Sequence, residues 1–257
     1  GKTQAVLSLP DGRQVALGNE KEQDTAWMKY VEACTIESKA TTEPADIKIE
    51  VARGGEYKIR LEDGTTVWLN SESSLIYPEK FTGDKRAVRL SGEGYFEVAR
   101  DEKKPFIVSV TDMEIKVLGT KFNVTAYQDE KMTTTTLISG AVEVVTPHRS
   151  VQLQPGKQAM VQEGGDDITV LEVDVELATS WTAGIFKFDK MALTDICTRL
   201  SRWYDIDFVF EGETGKEKFT GGTWKYVPLK DFLSKIERVT NVLFLFENNT
   251  VKVVPKK

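Results

Sequence analysis

The stretch "SGEGYFEV", Ser91–Val98, places two glycines and two glutamates side by side, and the fold turns on whether they make a chemical loop or a strand. A phosphate cradle needs its glycines where a strand gives way to a helix, whose first amides hold the anion. No helical periodicity follows here; apolar and polar residues go on alternating. Gly92 and Gly94 therefore read as places for a bulge or a close backbone approach inside a strand. Glu93, Tyr95 and Glu97 share one face of it. Four residues of strand span roughly 13 Å, more than the about 5–9.5 Å between paired glycosidase carboxylates, so the glutamates read as a solvated face.

The same grammar extends both ways. From Ile47 to about Val161 the chain runs "IKIEV", "YKIRLEDGTTVWLN", "AVRLSGEGYFEV", "FIVSV", "EIKVLGTKFNVTAY", "TTTTLISGAVEVV" and "VQLQPGKQAMV", short alternating runs broken by turn dipeptides. "EDG" supplies Asp-Gly hairpin chemistry and "QPG" a fixed and then a permissive φ. "LPDGRQVAL" (Leu9–Leu17) repeats "LEDGTTVWL" (Leu61–Leu69) at Leu, Asp, Gly, Val and Leu, two strand–turn–strand units of one domain. The expected class is mainly β and antiparallel, β-roll or solenoid-like, over 47–175. Residues 1–46 form a poorly assigned β segment and loop, polar and aperiodic from Asn19 to Asp46.

After "ITVLEV" the character changes at about Ser180. "LTDICTRLSRWYDIDFVFE" from Leu193 and "LKDFLSKIERVTNVLFLFE" from Leu229 align without a gap. Each begins with apolar residues at helical spacing (Leu193, Ile196, Leu200; Leu229, Phe232, Leu233, Ile236) and ends with period-two alternation (Ile206, Phe208, Phe210; Val242, Phe244, Phe246). With "GIFKF" and "KFTGGTW" upstream, 180–257 reads as a small α+β domain of duplicated βαβ units. Pro228 suits a first helical turn, and "TVKVVP" adds a last hairpin strand.

Composition narrows the function. The 257 residues carry a net charge of −6, which argues against nucleic acid, whose binding needs a concentrated basic face. Residues 181–257 hold 13 basic and 10 acidic side chains, so the two parts differ in sign; the difference reflects either solvated faces or, alternatively, mutual docking or preference for an acidic partner. Cys34 and Cys197 fit no metal spacing, and whether they pair stays open. His148 is the only histidine and lies in the polar turn "TPHRS", a poor base for a triad. Trp68, Trp181, Trp203 and Trp224 are spread through both parts and read mostly as core rather than as a sugar platform. No catalytic residue, metal site or cofactor is expected. No stretch of eighteen apolar residues or secretory signal is present. Because the chain opens on Gly1 rather than methionine, it reads as a fragment whose membrane anchor lies elsewhere.

The order from "RGGEYKIRLEDG" through "LSGEGYFEV", "VLGTKFNVTAY", "LISGAVEVV" and "LQPGKQAMV" resembles the FecR family of transmembrane anti-sigma factors. The motif residues are Gly92, Glu93, Gly94, Tyr95, Phe96, Gly119, Thr120 and Phe122, with Gly94 where the family usually has alanine. "WTAGIFKFDKMALTDICTRLSRWYDIDFVFE" and "FTGGTW" resemble the accompanying C-terminal domain, which is similar to the short N-terminal (STN) domain of secretins and TonB-dependent transducers. The resemblance implies the periplasmic sensor region of a single-pass inner-membrane protein. It would take a signal from the signalling domain of an outer-membrane TonB-dependent receptor and pass it to an extracytoplasmic-function sigma factor bound by a cytoplasmic segment absent here. The expected receptor-binding edge is Lys218, Phe219, Thr220, Gly221, Gly222, Thr223 and Trp224. There Gly221 and Gly222 would bare the backbone and Trp224 would anchor the partner, unless Trp224 is core and the glycines form a bulge. The alternative function is a periplasmic glycan- or small-ligand-binding β protein without catalysis.

Overall fold

A computed structural model describes residues 5–9, 12–17, 46–111, 113–212 and 214–256; most of the N-terminal polar segment, Cys34 included, lies outside the described residues. The chain divides into two compact units, Gly1–Val175 and Glu176–Lys257.

The first unit is organised by one long strand, β7 (Arg86–Glu97); the strands are numbered in chain order. Its first half pairs with β6 (Ser73–Pro78) and, in parallel, with β8 (Phe106–Val110). Its second half pairs with β5 (Thr66–Leu69) and β10 (Lys121–Ala126). One layer extends from the first half through β6, β3 (Asp46–Val51), β1 (Ala5–Ser8) and β2 (Gln14–Leu17), and on the other side through β8, β9 (Met113–Val117), β12 (Val142–Val145) and β13 (Ser150–Leu153). The other layer extends from the second half through β5 to β4 (Tyr57–Arg60), and through β10, β11 (Met132–Ser139) and β14 (Lys157–Gln162) to β15 (Ile168–Glu172). Every pairing but β7 with β8 is antiparallel, so the unit is a rolled antiparallel sheet and not the parallel stack of coils that a solenoid requires.

Burial in β7 alternates without a break, the even residues facing the core. The crossing from one layer to the other falls at Gly92. Its φ is +93°, and a Cβ there would stand 2.4 Å from Ser73 Oγ and 2.7 Å from Ser73 Cα. That is a close backbone approach, and no bulge interrupts β7. Phe96, two turns of the pleat further on, stacks on Phe122 with centroids 5.0 Å apart; both are fully buried, and each such ring contributes about 1.5–3 kcal/mol. Gly119 sits where a Cβ would be 2.7 Å from Arg100 Cα, and the buried Thr120 hydroxyl donates to Ala141 O (2.9 Å). These motif residues build the roll.

The hairpin turns read from sequence share one geometry. Leu9 N donates to Arg13 O and Gly12 N to Leu9 O, just as Leu61 N donates to Thr65 O and Gly64 N to Leu61 O. In the second turn Asp63 does more than bend the chain. Its carboxylate accepts from Thr65 N and Thr65 Oγ1, and from Arg86 Nη1 at 2.8 Å. Arg86 occupies a core position of β7 at 2% exposure; Nη1 also reaches Ala99 O and Nε reaches Lys104 O, Nη2 is buried without a hydrogen-bond partner, and the guanidinium lies over Phe106. Burying a guanidinium is costly unless it is paired in this way.

The second unit begins within a short helix, α1 (Val175–Thr179), which a 3₁₀ turn (Ser180–Ala183) follows. Its order is β16 (Ile185–Ala192), α2 (Leu193–Tyr204), β17 (Asp207–Phe210), β18 (Lys218–Trp224), α3 (Leu229–Val239), β19 (Val242–Glu247) and β20 (Thr250–Pro255). Strand, helix, strand therefore occurs twice. The strands flanking each helix do not pair with each other: β16 pairs with β18, and β17, β20 and β19 form a separate three-stranded sheet. Leu193, Ile196, Leu200, Phe232, Leu233 and Ile236 pack with Phe188, Phe244 and Val253 in one core, as the helical spacing requires. Cys197 is buried there, and desolvation pushes its thiol well above the ordinary range. No helix among the described residues is long and apolar enough to cross a membrane.

Candidate functional site

β18 belongs to a two-stranded sheet, so one of its sides pairs with β16 and the other pairs with no strand among the described residues. The phase of the ladder decides which backbone groups face that open side. Lys225 N donates to Gly184 O at 2.9 Å, and the register sets Trp224 opposite Ile185, Thr223 opposite Phe186 and Gly222 opposite Lys187. In an antiparallel pair directly opposed residues alternate between bonded and non-bonded positions. Thr223 and the Lys225 N–H therefore bond to the β16 side, while Gly222 turns its N–H and C=O groups, and Trp224 its N–H, to the open edge; the Trp224 carbonyl accepts from Val227 N (3.3 Å).

The side chains match. Lys218, Thr220, Gly221, Gly222 and Trp224 are exposed, and Phe219 and Thr223 are half-buried. Trp224 is 60% exposed and the neighbouring Tyr226 69%; Trp224 is not core. The bulge lies across the ladder, in β16 at Asp189–Lys190, where the register shifts between Phe188 and Met191. Thr220 pins it, its hydroxyl accepting from Lys190 N and donating to Asp189. Gly222 has a packing reason of its own, since a Cβ there would lie 2.8 Å from Phe186 O.

Lys225, one residue on, holds the strand end in place. It is fully buried, with Nζ 3.8 Å from the Trp203 ring centroid and 5.7 and 5.9 Å from those of Trp181 and Phe186. Its carbonyl accepts from Trp203 Nε1 (2.7 Å) and Tyr204 Oη (3.1 Å). A desolvated cation over aromatic rings is held by about 2 kcal/mol or more. Because successive strand residues point to opposite faces, driving Lys225 inward turns Trp224 outward. Trp181 and Trp203 are thus structural, as their sequence context suggested, and Trp224 is the exception.

Sequence reasoning did not single out Tyr226, nor the outer face of the three-stranded sheet. There Val209, Leu243 and Leu245 are exposed around Lys252, which stands opposite Val209 and Leu245. The signal was present in "VLFLF", where both phases of the alternation are apolar.

The residues weighed for catalysis are dispersed. Glu93 accepts from Asn70 Nδ2 (2.7 Å), Asn123 Nδ2 (3.0 Å) and Thr125 Oγ1 (3.2 Å), while Glu97 binds Lys121 (2.8 Å). Each carboxylate has its own partners on the outer face of β7, and Tyr95 sits between them, edge-on to Trp68 at 5.3 Å. Burial beside Glu97 raises the Tyr95 pKa above its ordinary value. His148 is exposed, with Nε2 3.7 Å from Asp166. Among the described residues no group of three or more His, Cys, Asp or Glu side chains is placed to hold a metal ion.

Comparison with known proteins bears on both units. The family described as FecR protein matches residues 47–143, and that described as FecR, C-terminal, matches residues 185–253. Two crystal structures, at 1.65 and 2.50 Å, of a proposed anti-sigma factor from Parabacteroides distasonis ATCC 8503 are similar over 82% of this chain, at 30% identity and a TM-score of 0.76. This chain spans 99% and 100% of those two. The chain belongs to the FecR family. No curated protein matches it in sequence. Within this FecR chain the "SGEGYFEV" strand falls inside the first matched region and β18 inside the second.

Proposed function

We propose that this FecR chain is the sensor region of an anti-sigma factor and receives its signal through the open edge of β18. In this reading the region lies in the periplasm, belongs to a single-pass inner-membrane protein, and binds the signalling domain of an outer-membrane TonB-dependent receptor. The sigma factor is held by a cytoplasmic segment outside this chain. The second unit, with strand, helix, strand occurring twice, would be STN-like, so that receptor and regulator meet through similar small domains. The role is regulatory and involves no turnover.

The observation that carries the proposal is the edge itself. A strand that carries two glycines, ends in an exposed tryptophan and has one edge unpaired among the described residues is costly to leave open, since such edges invite pairing with other chains. It is suited to strand addition, in which backbone hydrogen bonds give affinity and side chains give selectivity. Calorimetric titration of the chain with the receptor's signalling domain tests this. Trp224→Ala should weaken binding at least about thirtyfold, as for an anchoring aromatic. Trp224→Pro should weaken it further, because it also removes an edge N–H while leaving the bonds to β16 intact. Equal binding by all three proteins would remove β18 from the interface, and no binding by the unaltered chain would defeat the receptor reading.

A further inference from the structure

The two layers of the first unit are unequal on one side of β7. Among the described residues one layer continues beyond it for four strands, β6, β3, β1 and β2, and the other for only two, β5 and β4. The longer layer therefore carries apolar side chains past the end of its cover. A cavity of about 290 Å³ opens at that place, walled by Leu7, Leu17, Ile49 and Tyr77 from the longer layer and by Tyr57 and Ile59 from β4. All six are core residues with little exposure. Protein interiors rarely keep voids much larger than a water molecule, and an apolar cavity of about 150 Å³ already admits benzene. This one is near the lower end of small-molecule pockets.

Of its remaining lining residues Leu61 is apolar and Arg60, Glu62 and Glu79 are charged. Glu62 accepts the Phe81 amide. Among the described residues no hydrogen bond or ion pair engages the side chain of Arg60 or of Glu79. One cation and one carboxylate thus stand at an apolar cavity with no partner among the described residues.

We propose that this cavity is a binding site for a small zwitterion with an apolar body, of the kind represented by an amino acid with a large apolar side chain. The body would fill the space between the layers, the ligand's carboxylate would meet Arg60 and its amine Glu79. A ring taking about half of the volume leaves the rest for the head and its link. The site lies wholly in the first unit and does not rest on the receptor reading.

Three probes with one body separate the contributions: L-phenylalanine, 3-phenylpropanoate, which lacks the amine, and phenethylamine, which lacks the carboxylate. Calorimetry or saturation-transfer NMR on the full chain should show phenylalanine binding about tenfold or more tighter than either, since each charged hydrogen bond is worth that much. Arg60→Gln and Glu79→Gln should each remove that advantage without lowering the melting temperature. Leu17→Phe, which fills the cavity, should abolish binding of all three probes. Should that variant fail to fold, protection of the Ile49 and Ile59 methyl resonances by the probe gives the same reading on the unaltered chain. Absence of binding by any probe at millimolar concentration, equal affinity for all three, or binding indifferent to both Leu17→Phe and the methyl resonances would overturn the proposal.

Discussion

Gly92 and Gly94 stand two residues apart on the same face of β7, yet alanine at the two positions should have opposite consequences. At Gly92 the φ of +93° costs an alanine about 1–3 kcal/mol of backbone strain. The new Cβ would lie 2.7 Å from Ser73 Cα, well inside the usual 3.5–4.0 Å contact, so β6 would have to move, at a further cost of about 1–3 kcal/mol. The bond from Glu93 N to Ser73 Oγ (2.9 Å) would go with it, another loss of about 1 kcal/mol. The sum is about 3–7 kcal/mol, which for a domain of this size lowers Tm by on the order of 10 °C or more. At Gly94 the backbone is ordinary and the Cβ would meet only side-chain ends, Phe96 Cε2 at 3.0 Å and Leu90 Cδ1 at 3.2 Å. Those need give way by only a few tenths of an ångström, and alanine restricts the unfolded chain in its favour by about 0.4–1 kcal/mol, so the net change should stay within about 1 kcal/mol. Differential scanning calorimetry of the full chain reads both. A Gly92→Ala protein melting with the wild type, or a Gly94→Ala protein losing as much as Gly92→Ala, would refute the placement of the corner.

Arg86→Met should cost about 3–5 kcal/mol in denaturant melts, because it strands the Asp63 carboxylate in a nearly closed site; an unchanged midpoint would show the pair to be dispensable. Trp203→Leu should cost about 2–4 kcal/mol by removing the Lys225 ring contact and the bond to its carbonyl, and a loss below about 1 kcal/mol would mean that Lys225 is held by other means. Trp224→Ala should change stability by no more than about 0.5 kcal/mol, and a large loss would show that its exposure has been misjudged. With Cys34 replaced by serine, Cys197 should react with a thiol reagent only at the rate of unfolding. Its raised folded pKa also means that the unfolded chain loses the proton first, so stability should fall above about pH 8.5 by up to about 1.4 kcal/mol per unit; reaction at the rate of a free thiol would contradict its burial.

The period-two runs located the strands of the first unit because each has one face in the core and one in water, as in β7. What alternation does not encode is the corner. Gly92 keeps its even, inward parity while the chain passes between layers, so "SGEGYFEV" looks like any strand, and only the Ser73 contact reveals the bend. The parallel pairing of β7 with β8 was equally silent, since it depends on the path of the 98–105 connection. In the second unit helical spacing placed α2 and α3, but which strands pair is set by packing between the two similar stretches. Arg86 and Lys225 look like surface residues by type, and their burial follows from partners distant in sequence, Asp63 and Trp203. The site was partly legible: "TGGTW" marked a bare edge, while the direction of Trp224 depended on where Lys225 goes.

The most direct test of the account is hydrogen–deuterium exchange on the chain alone and mixed with the signalling domain of the TonB-dependent receptor proposed as its partner. The Gly222 and Trp224 amides face the open edge and should exchange fast alone and slowly in the complex, while the Thr223 and Lys225 amides, already bonded on the β16 side, should change little. Protection appearing only within residues 47–175, with Gly222 and Trp224 unaffected, would contradict it.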